Sequence, residues 1–240
     1  MKKHELHNSK GFTLVELSIV LVIIGLLIGG ILVGQSLIES AKMQSFVRQM
    51  AQYDALAATF KTKYDQLPGD SASFGCTAAL DGSTNVCGNG TIEDLVVATS
   101  HYFAAESSLY WKQLSDSGFK PSGVSFVKAI PATNTVTINQ NVPKAQIGTA
   151  GVVVFGTTTT GNSYLVGGYT NNSLFNLAPG ISAIDAMAYD SKTDDGVANA
   201  GSVQSSGLTG CNTVPATYTV TSSNTLVCAL VIKFMNGISF

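Results

Sequence analysis

The chain has 240 residues, of which 45% are hydrophobic and only 12% charged, with a formal net charge of −2. Its lysines are scattered and Arg48 is the single arginine, so the basic patch that a nucleic-acid partner requires is missing. Gly, Ser, Thr, Asn and Ala abound, which suits an exported, β-rich surface with long loops, and the mean hydropathy of +0.26 is set by one N-terminal run rather than by several membrane spans.

That run follows a short basic start (Lys2, Lys3, Lys10). Lys10-Gly11-Phe12-Thr13-Leu14-Val15-Glu16 leads into a stretch, Phe12 to Val33, made almost wholly of Leu, Ile, Val and Gly with Glu16 as its single charge. At ~1.5 Å per residue, about 22 residues give a helix of roughly 33 Å, enough for a bilayer core of ~30 Å. A carboxylate in such a helix costs roughly 2.5–3.5 kcal/mol at the centre and less near an edge, so a retained one has a use. An ordinary secretory signal has a shorter apolar core followed by a small-residue cleavage site. Here Gly11 precedes the run, and no Ala-x-Ala follows it. The basic leader, Gly11, Phe12, Thr13, Leu14, Glu16 and the apolar helix together resemble the N-terminus of type IV prepilins and type II secretion pseudopilins.

The resemblance implies cleavage between Gly11 and Phe12 by a prepilin peptidase on the cytoplasmic side, and N-methylation of the new Phe12 amine by the same processing machinery. It implies that Glu16 meets the Phe12 amine of a neighbouring subunit, two charges that lower each other's cost in lipid. The partners it implies are like subunits, other pilins or pseudopilins, and an inner-membrane assembly platform. The chain would be a single-pass inner-membrane protein with a periplasmic head, later part of a surface pilus or a periplasmic pseudopilus. Losing Lys2, Lys3, Lys10 and Glu5 with the leader takes the formal charge from −2 to about −4.

Gly25, Gly29, Gly30 and Gly34 punctuate the membrane portion; each weakens a helix by up to ~1 kcal/mol and permits close helix approach. Many members of the family place a proline where this chain has Val33. Beyond it, Leu37, Ile38, Ala41, Phe46, Val47, Met50, Leu56, Ala57, Phe60, Tyr64 and Leu67 recur at three- and four-residue spacing, the pattern of an amphipathic helix with one face on a globular head. Pro68-Gly69 is the expected stop. The expected division is therefore a leader (1–11), a transmembrane and filament-core helix (12–34), its amphipathic continuation (35–68) and a head (69–240).

In the head, residues 70–90 read as a loop rich in Gly, Ser, Thr and Asn. Thr91 to Ser115 reads as a second helix, with Thr91-x-x-Asp94 as its cap and Trp111 as a core residue. Strand-like runs follow at Val124–Ile130, Thr135–Asn139, Val152–Thr158, Ser163–Tyr169 and Leu226–Phe234. The expected fold class is α+β: a long N-terminal helix, half transmembrane and half packed on the head, with a C-terminal antiparallel β-sheet.

Cys76, Cys87, Cys211 and Cys228 form no CxxC pair and have no histidine cluster beside them, which argues against zinc and for disulfides in an oxidising compartment. Four cysteines allow three connectivities. The local one, Cys76–Cys87 with Cys211–Cys228, closes the shortest loops, each contributing roughly 3 kcal/mol in the chain-entropy picture. The second pair also resembles the family's C-terminal disulfide loop.

Asp185, Asp190, Asp194, Asp195 and Gly196 form an acidic, glycine-ended segment. Asp190, Asp194 and Asp195 are candidate Ca²⁺ ligands, since that ion takes six to eight oxygens, and the segment loosely resembles calcium-holding loops of some pilins and pseudopilins. Lys192 stands against this. The competing expectation is a helix over Ser182–Tyr189 ending in a solvated turn, with Lys192 paired to an Asp. No other cofactor is indicated. With His4 and His7 in the leader, His101 is alone, and no phosphate-binding loop is present, so an enzyme is not expected. The function expected is a structural subunit, pilin or minor pilin, of a type IV pilus-like filament. The alternatives are a type II secretion pseudopilin and a membrane-anchored periplasmic binding domain that never polymerises.

Overall fold

The computed structural model describes residues 11–76, 87–97, 100–103, 105–119, 136–157, 161–169, 177–206, 208, 210–213, 216–220 and 225–234. The leader lysines and the expected strand Val124–Ile130 lie outside these residues. The chain divides into two units, residues 1–42 and 43–240.

Helix α1 (Leu14–Tyr64) is continuous for 51 residues. It passes through Val33 without interruption, and Ser36 Oγ donates to the Val33 carbonyl at 2.9 Å. In the first unit its large apolar side chains are exposed, from Leu14 through Ile38. By length and composition this helix can cross a membrane.

In the second unit α1 turns one stripe inward. Met43, Phe46, Met50, Tyr53, Ala57 and Phe60 are buried, spaced by alternating threes and fours as one helical face requires. The expected stripe thus begins at Met43, not Leu37, and includes Tyr53. The helix ends at Tyr64, before the expected stop. Asp65 adopts a left-handed φ of 55° and its N–H donates to the Lys61 carbonyl at 2.8 Å, the usual way to finish a helix. Leu67 is buried just beyond it.

The stretch expected to form one helix from Thr91 to Ser115 does not. Strands β1 (Leu95–Val97) and β2 (Ser100–Tyr102) pair as an antiparallel hairpin, and only α2 (Ala105–Asp116) is helical. Thr91 N–H and Ile92 N–H donate to Asn89 Oδ1 and Asn162 Oδ1, so these backbone donors are engaged by side chains outside any helix. Two adjacent valines, Val96 and Val97, favour extended chain. His101 therefore lies on β2 rather than on a helix.

The main sheet is antiparallel, in the order β3 (Gly151–Thr157), β4 (Gly161–Tyr169), β11 (Leu230–Lys233), β7 (Val203–Ser205), with β5 (Leu177–Ala178) on the end of β4. Register sets Val154 opposite Tyr164 and Ile232 opposite both Tyr164 and Val203. The remaining elements are β6 (Ile181–Ser182), α3 (Ala183–Thr193), β8 (Asn212–Thr213), β9 (Thr217–Tyr218) and β10 (Leu226–Cys228). The expected single strand Leu226–Phe234 is split at Ala229: β10 pairs with β6 and β11 joins the main sheet. Residues 136–139 hold only an isolated bridge, Ile138 to Val142.

The inward face of α1, α2 and the sheet share one core. Tyr53 meets Trp111 edge-on with centroids 4.7 Å apart, and Phe46 meets Tyr189 at the same distance. Trp111 is fully buried, and its indole N–H donates to the Val152 carbonyl at 2.9 Å, so it ties α2 to β3 through both packing and a hydrogen bond.

Candidate processing and assembly site

The first unit carries the candidate processing site. Gly11, Phe12 and Thr13 precede the helix in non-helical backbone, and Phe12 is 88% exposed. A Cβ placed on Gly11 would meet nothing within 4 Å. The fold itself sets no requirement for glycine there, so any requirement comes from outside the chain.

Thr13 and Glu16 form a reciprocal cap at the head of α1. Thr13 N–H and Thr13 Oγ1 both donate to Glu16 Oε2 at 2.8 Å, while Glu16 N–H donates to Thr13 Oγ1 at 3.3 Å. This is a capping box: two backbone donors that a helix start leaves open are closed by two side chains. A carboxylate here also complements the positive end of the helix dipole. The Thr-x-x-Glu spacing is readable in the sequence, but the membrane setting draws attention to Glu16 as a charge and away from Thr13. Glu16 thus sits one helical turn from Phe12, whose amine peptide cleavage would free.

The cysteines pair as Cys76–Cys87, with Cα atoms 6.0 Å apart, and Cys211–Cys228, at 4.8 Å. The second bond links β10 to the loop before β8, where Cys211 N–H donates to the Leu208 carbonyl and Cys211 O accepts from Thr219.

The acidic segment is not the expected solvated turn after Tyr189. Helix α3 runs to Thr193, capped at its start by Ser182 Oγ, which accepts from Asp185 N–H at 3.1 Å. Asp190 lies inside the helix and is buried, with Gly196 N–H on one oxygen and the Tyr218 hydroxyl on the other. Burial raises its pKa. Asp194 accepts from Ser202 N–H at 2.5 Å and Val203 N–H at 2.9 Å. Gly201 takes a φ of 68°, and any Cβ there would strike the Asp194 carboxylate. The turn is therefore a structured closure onto β7 and β9, not a solvated end. Among the described residues Lys192 makes no ion pair. Oxygens of Asp190, Asp194 and Asp195 lie within 4.8 Å of one another, yet the first two are already engaged by protein donors.

A second carboxyl cluster was not legible in the sequence. Asp70, after α1, and Glu106, in the first turn of α2, are almost wholly buried. Asp70 accepts backbone N–H donors from Gly88, Asn89 and Gly90 in succession, with Gly88 and Gly90 at φ 86° and 83°. Glu106 Oε2 accepts from Glu93 N–H at 3.0 Å. Burial, then the neighbouring Asp70 and Glu93 charges, push the Glu106 carboxyl up to about 9. The two residues stand 36 positions apart, and only the packing of α2 against the post-helix corner brings them together. Gln113 makes that corner by donating to the Gly69 and Ser71 carbonyls and accepting from Gly69 N–H.

No curated protein and no solved structure matches the chain. The prokaryotic N-terminal methylation motif matches residues 6–32, spanning the Gly11–Phe12 junction, the Thr13–Glu16 cap and most of the exposed apolar part of α1. The chain thus carries the prepilin-type signal of type IV pilin-like and pseudopilin subunits.

Proposed function

We propose that this protein is a structural subunit of a type IV pilus-like filament, assembled through α1. The observation that supports this best is the exposed apolar surface from Leu14 to Ile38, headed by the methylation motif. In water such a surface demands cover. Lipid covers it before assembly, and like helices cover it in a filament.

The sequence of events follows from the chain. The leader holds the precursor at the cytoplasmic face of the inner membrane, with the head in the periplasm. A prepilin peptidase cuts between Gly11 and Phe12, and the Phe12 amine is methylated. An assembly platform then draws the helix into a stack, where the amine of one subunit meets Glu16 of another and sets axial register. Glu16 can cap its own helix and still offer its second oxygen, because Thr13 engages only Oε2. The work of the protein is assembly, not catalysis.

A pseudopilin of a secretion system shares every one of these steps, and Val33 in the place of the family's proline argues against a major pilin. The location of the polymer separates the two. Cells expressing the chain are sheared, and surface and periplasmic fractions are probed for high-mass polymer. The proposal expects mature chain in a sheared surface filament. Polymer confined to the periplasm would support the secretion reading, and processed chain that stays monomeric in the membrane would contradict both.

A further inference from the structure

Glu106 Oε1 lies 3.4 Å from Cys76 Sγ. A disulfide sulfur carries no proton, so a hydrogen bond at this contact requires the protonated carboxyl, which also hydrogen-bonds Asp70. Cys76 is 5% exposed and Cys87 half-buried. The same residues that follow Cys87 (Gly88, Asn89 and Gly90) hold Asp70 through their N–H groups, donors that favour its ionised form against the burial that raises its pKa. The charged groups facing Glu106 are Asp70 and Glu93, both carboxylates. Cys211–Cys228 has no such neighbour among the described residues.

We propose that Cys76–Cys87 is a thiol-exchangeable disulfide and that Glu106 is the general acid that protonates the Cys76 sulfur when the bond opens. The attacking reagent is a dithiol. Its thiolate attacks Cys87 Sγ, the more accessible sulfur, and a new S–S bond forms there as the Cys76–Cys87 bond breaks. The electron pair of the broken bond leaves on Cys76 Sγ, which takes the proton from Glu106. The second thiolate of the reagent then attacks its own sulfur in the mixed disulfide, releasing Cys87 as thiolate. The reagent is oxidised to a cyclic disulfide and the protein gains two electrons, with solvent returning the proton to Glu106 and protonating the Cys87 thiolate. Without the proton, a thiolate would be born on a sulfur that is 5% exposed, where burial disfavours the charged form. The nearly neutral-pH working range of this acid is supplied by burial, which keeps its proton in place until about pH 9. The closure of residues 88–90 on Asp70 makes the bond's state matter to the fold, because it fastens the segment after Cys87 to the end of α1.

The test uses the full chain in detergent micelles, reduced by dithiothreitol under native conditions. Thiols are alkylated at timed intervals, and peptide mass spectrometry reads each bond separately, so Cys211–Cys228 is an internal control. Rates are normalised to the reagent's thiolate concentration. Glu106→Gln is close in shape to the neutral acid and cannot transfer its proton. At pH 7 it should slow opening of Cys76–Cys87 by about tenfold or more, below the 10²–10⁴-fold of a tuned enzymatic acid. Glu106→Asp, which keeps a proton but retracts it, should recover part of the loss. The gap between wild type and Glu106→Gln should close as pH passes about 9, where the wild-type acid is itself spent. Equal normalised rates at pH 7, a gap that does not change with pH, slowing of both disulfides alike, or a wild-type Cys76–Cys87 bond that native reduction never opens would each overturn the proposal.

Discussion

The Glu106 carboxyl should leave a mark on stability as well as on exchange. In an unfolded chain it ionises near 4.5, whereas in the folded head burial holds its proton up to about 9. Between those values the folded state binds a proton that the unfolded state has lost, so stability falls as pH rises, by at most ~1.36 kcal/mol per unit. From pH 5 to pH 8 this amounts to about 2–4 kcal/mol, the upper figure being the full linkage limit. Asp70 is raised in the same direction, by burial, and adds to the fall. Glu106→Gln has no proton to lose and is isosteric with the form already present. It should therefore flatten most of the slope and be more stable than wild type at pH 8, while differing little at pH 5. The assay is urea unfolding of the oxidised, detergent-solubilised chain at both pH values, followed by fluorescence of Trp111, which is buried against Tyr53 and Tyr110. A mutant with the wild-type pH slope, or one destabilised equally at both pH values, would refute the buried-acid reasoning.

Glu16→Ala should insert in the membrane as well as wild type but fail to enter filaments beside it. Thr13→Val, which removes one arm of the cap at a cost of about 1 kcal/mol, should still be incorporated; equal failure of both in a sheared-filament assay would make Glu16 only a helix cap. Asp194→Ala should destabilise the head by about 1–3 kcal/mol, because Ser202 and Val203 N–H lose their acceptor. Calcium is expected to leave the melting temperature of the wild-type chain unchanged, and a calcium-dependent rise that Asp194→Ala removes would show that the acidic loop holds the ion. Trp111→Phe should cost about 2–4 kcal/mol by denaturant unfolding, since it leaves a gap against Tyr53 and an unpaired Val152 carbonyl, and a change within about 0.5 kcal/mol by that measure, on the order of a surface substitution, would show that Trp111 does not tie α2 to β3.

What could be read from the sequence follows a physical line. Periodicity and local chemistry are written in neighbouring residues, so the long helix, strands β3 and β4, and the α+β class could be recognised from it. The same holds for the N-terminal methylation motif, which matches residues 6–32. Where tertiary partners decide, the reading failed. Thr91 to Tyr102 had helical spacing, but Asn89 and Asn162 claim the backbone donors that a helix start would use. Leu226 to Phe234 looked like one strand, yet two sheets compete for it and Ala229 marks the change. Asp190 and Asp194 looked like solvent-facing carboxylates because their donors, Tyr218 and Ser202–Val203, come from later strands. Asp70 and Glu106 had no local signature at all, since their meeting depends on how α2 docks.

The central claim is that α1 is a processed filament helix, and the mature N-terminus tests it most directly. Intact-mass and N-terminal peptide analysis of the chain purified from membranes of a bacterium with a prepilin peptidase should show a start at Phe12 with one added methyl group on its amine. Gly11→Val should block that start while Gly11→Ala largely permits it. A chain that retains Met1, or one that begins beyond Val33 with the apolar helix removed, would contradict the account.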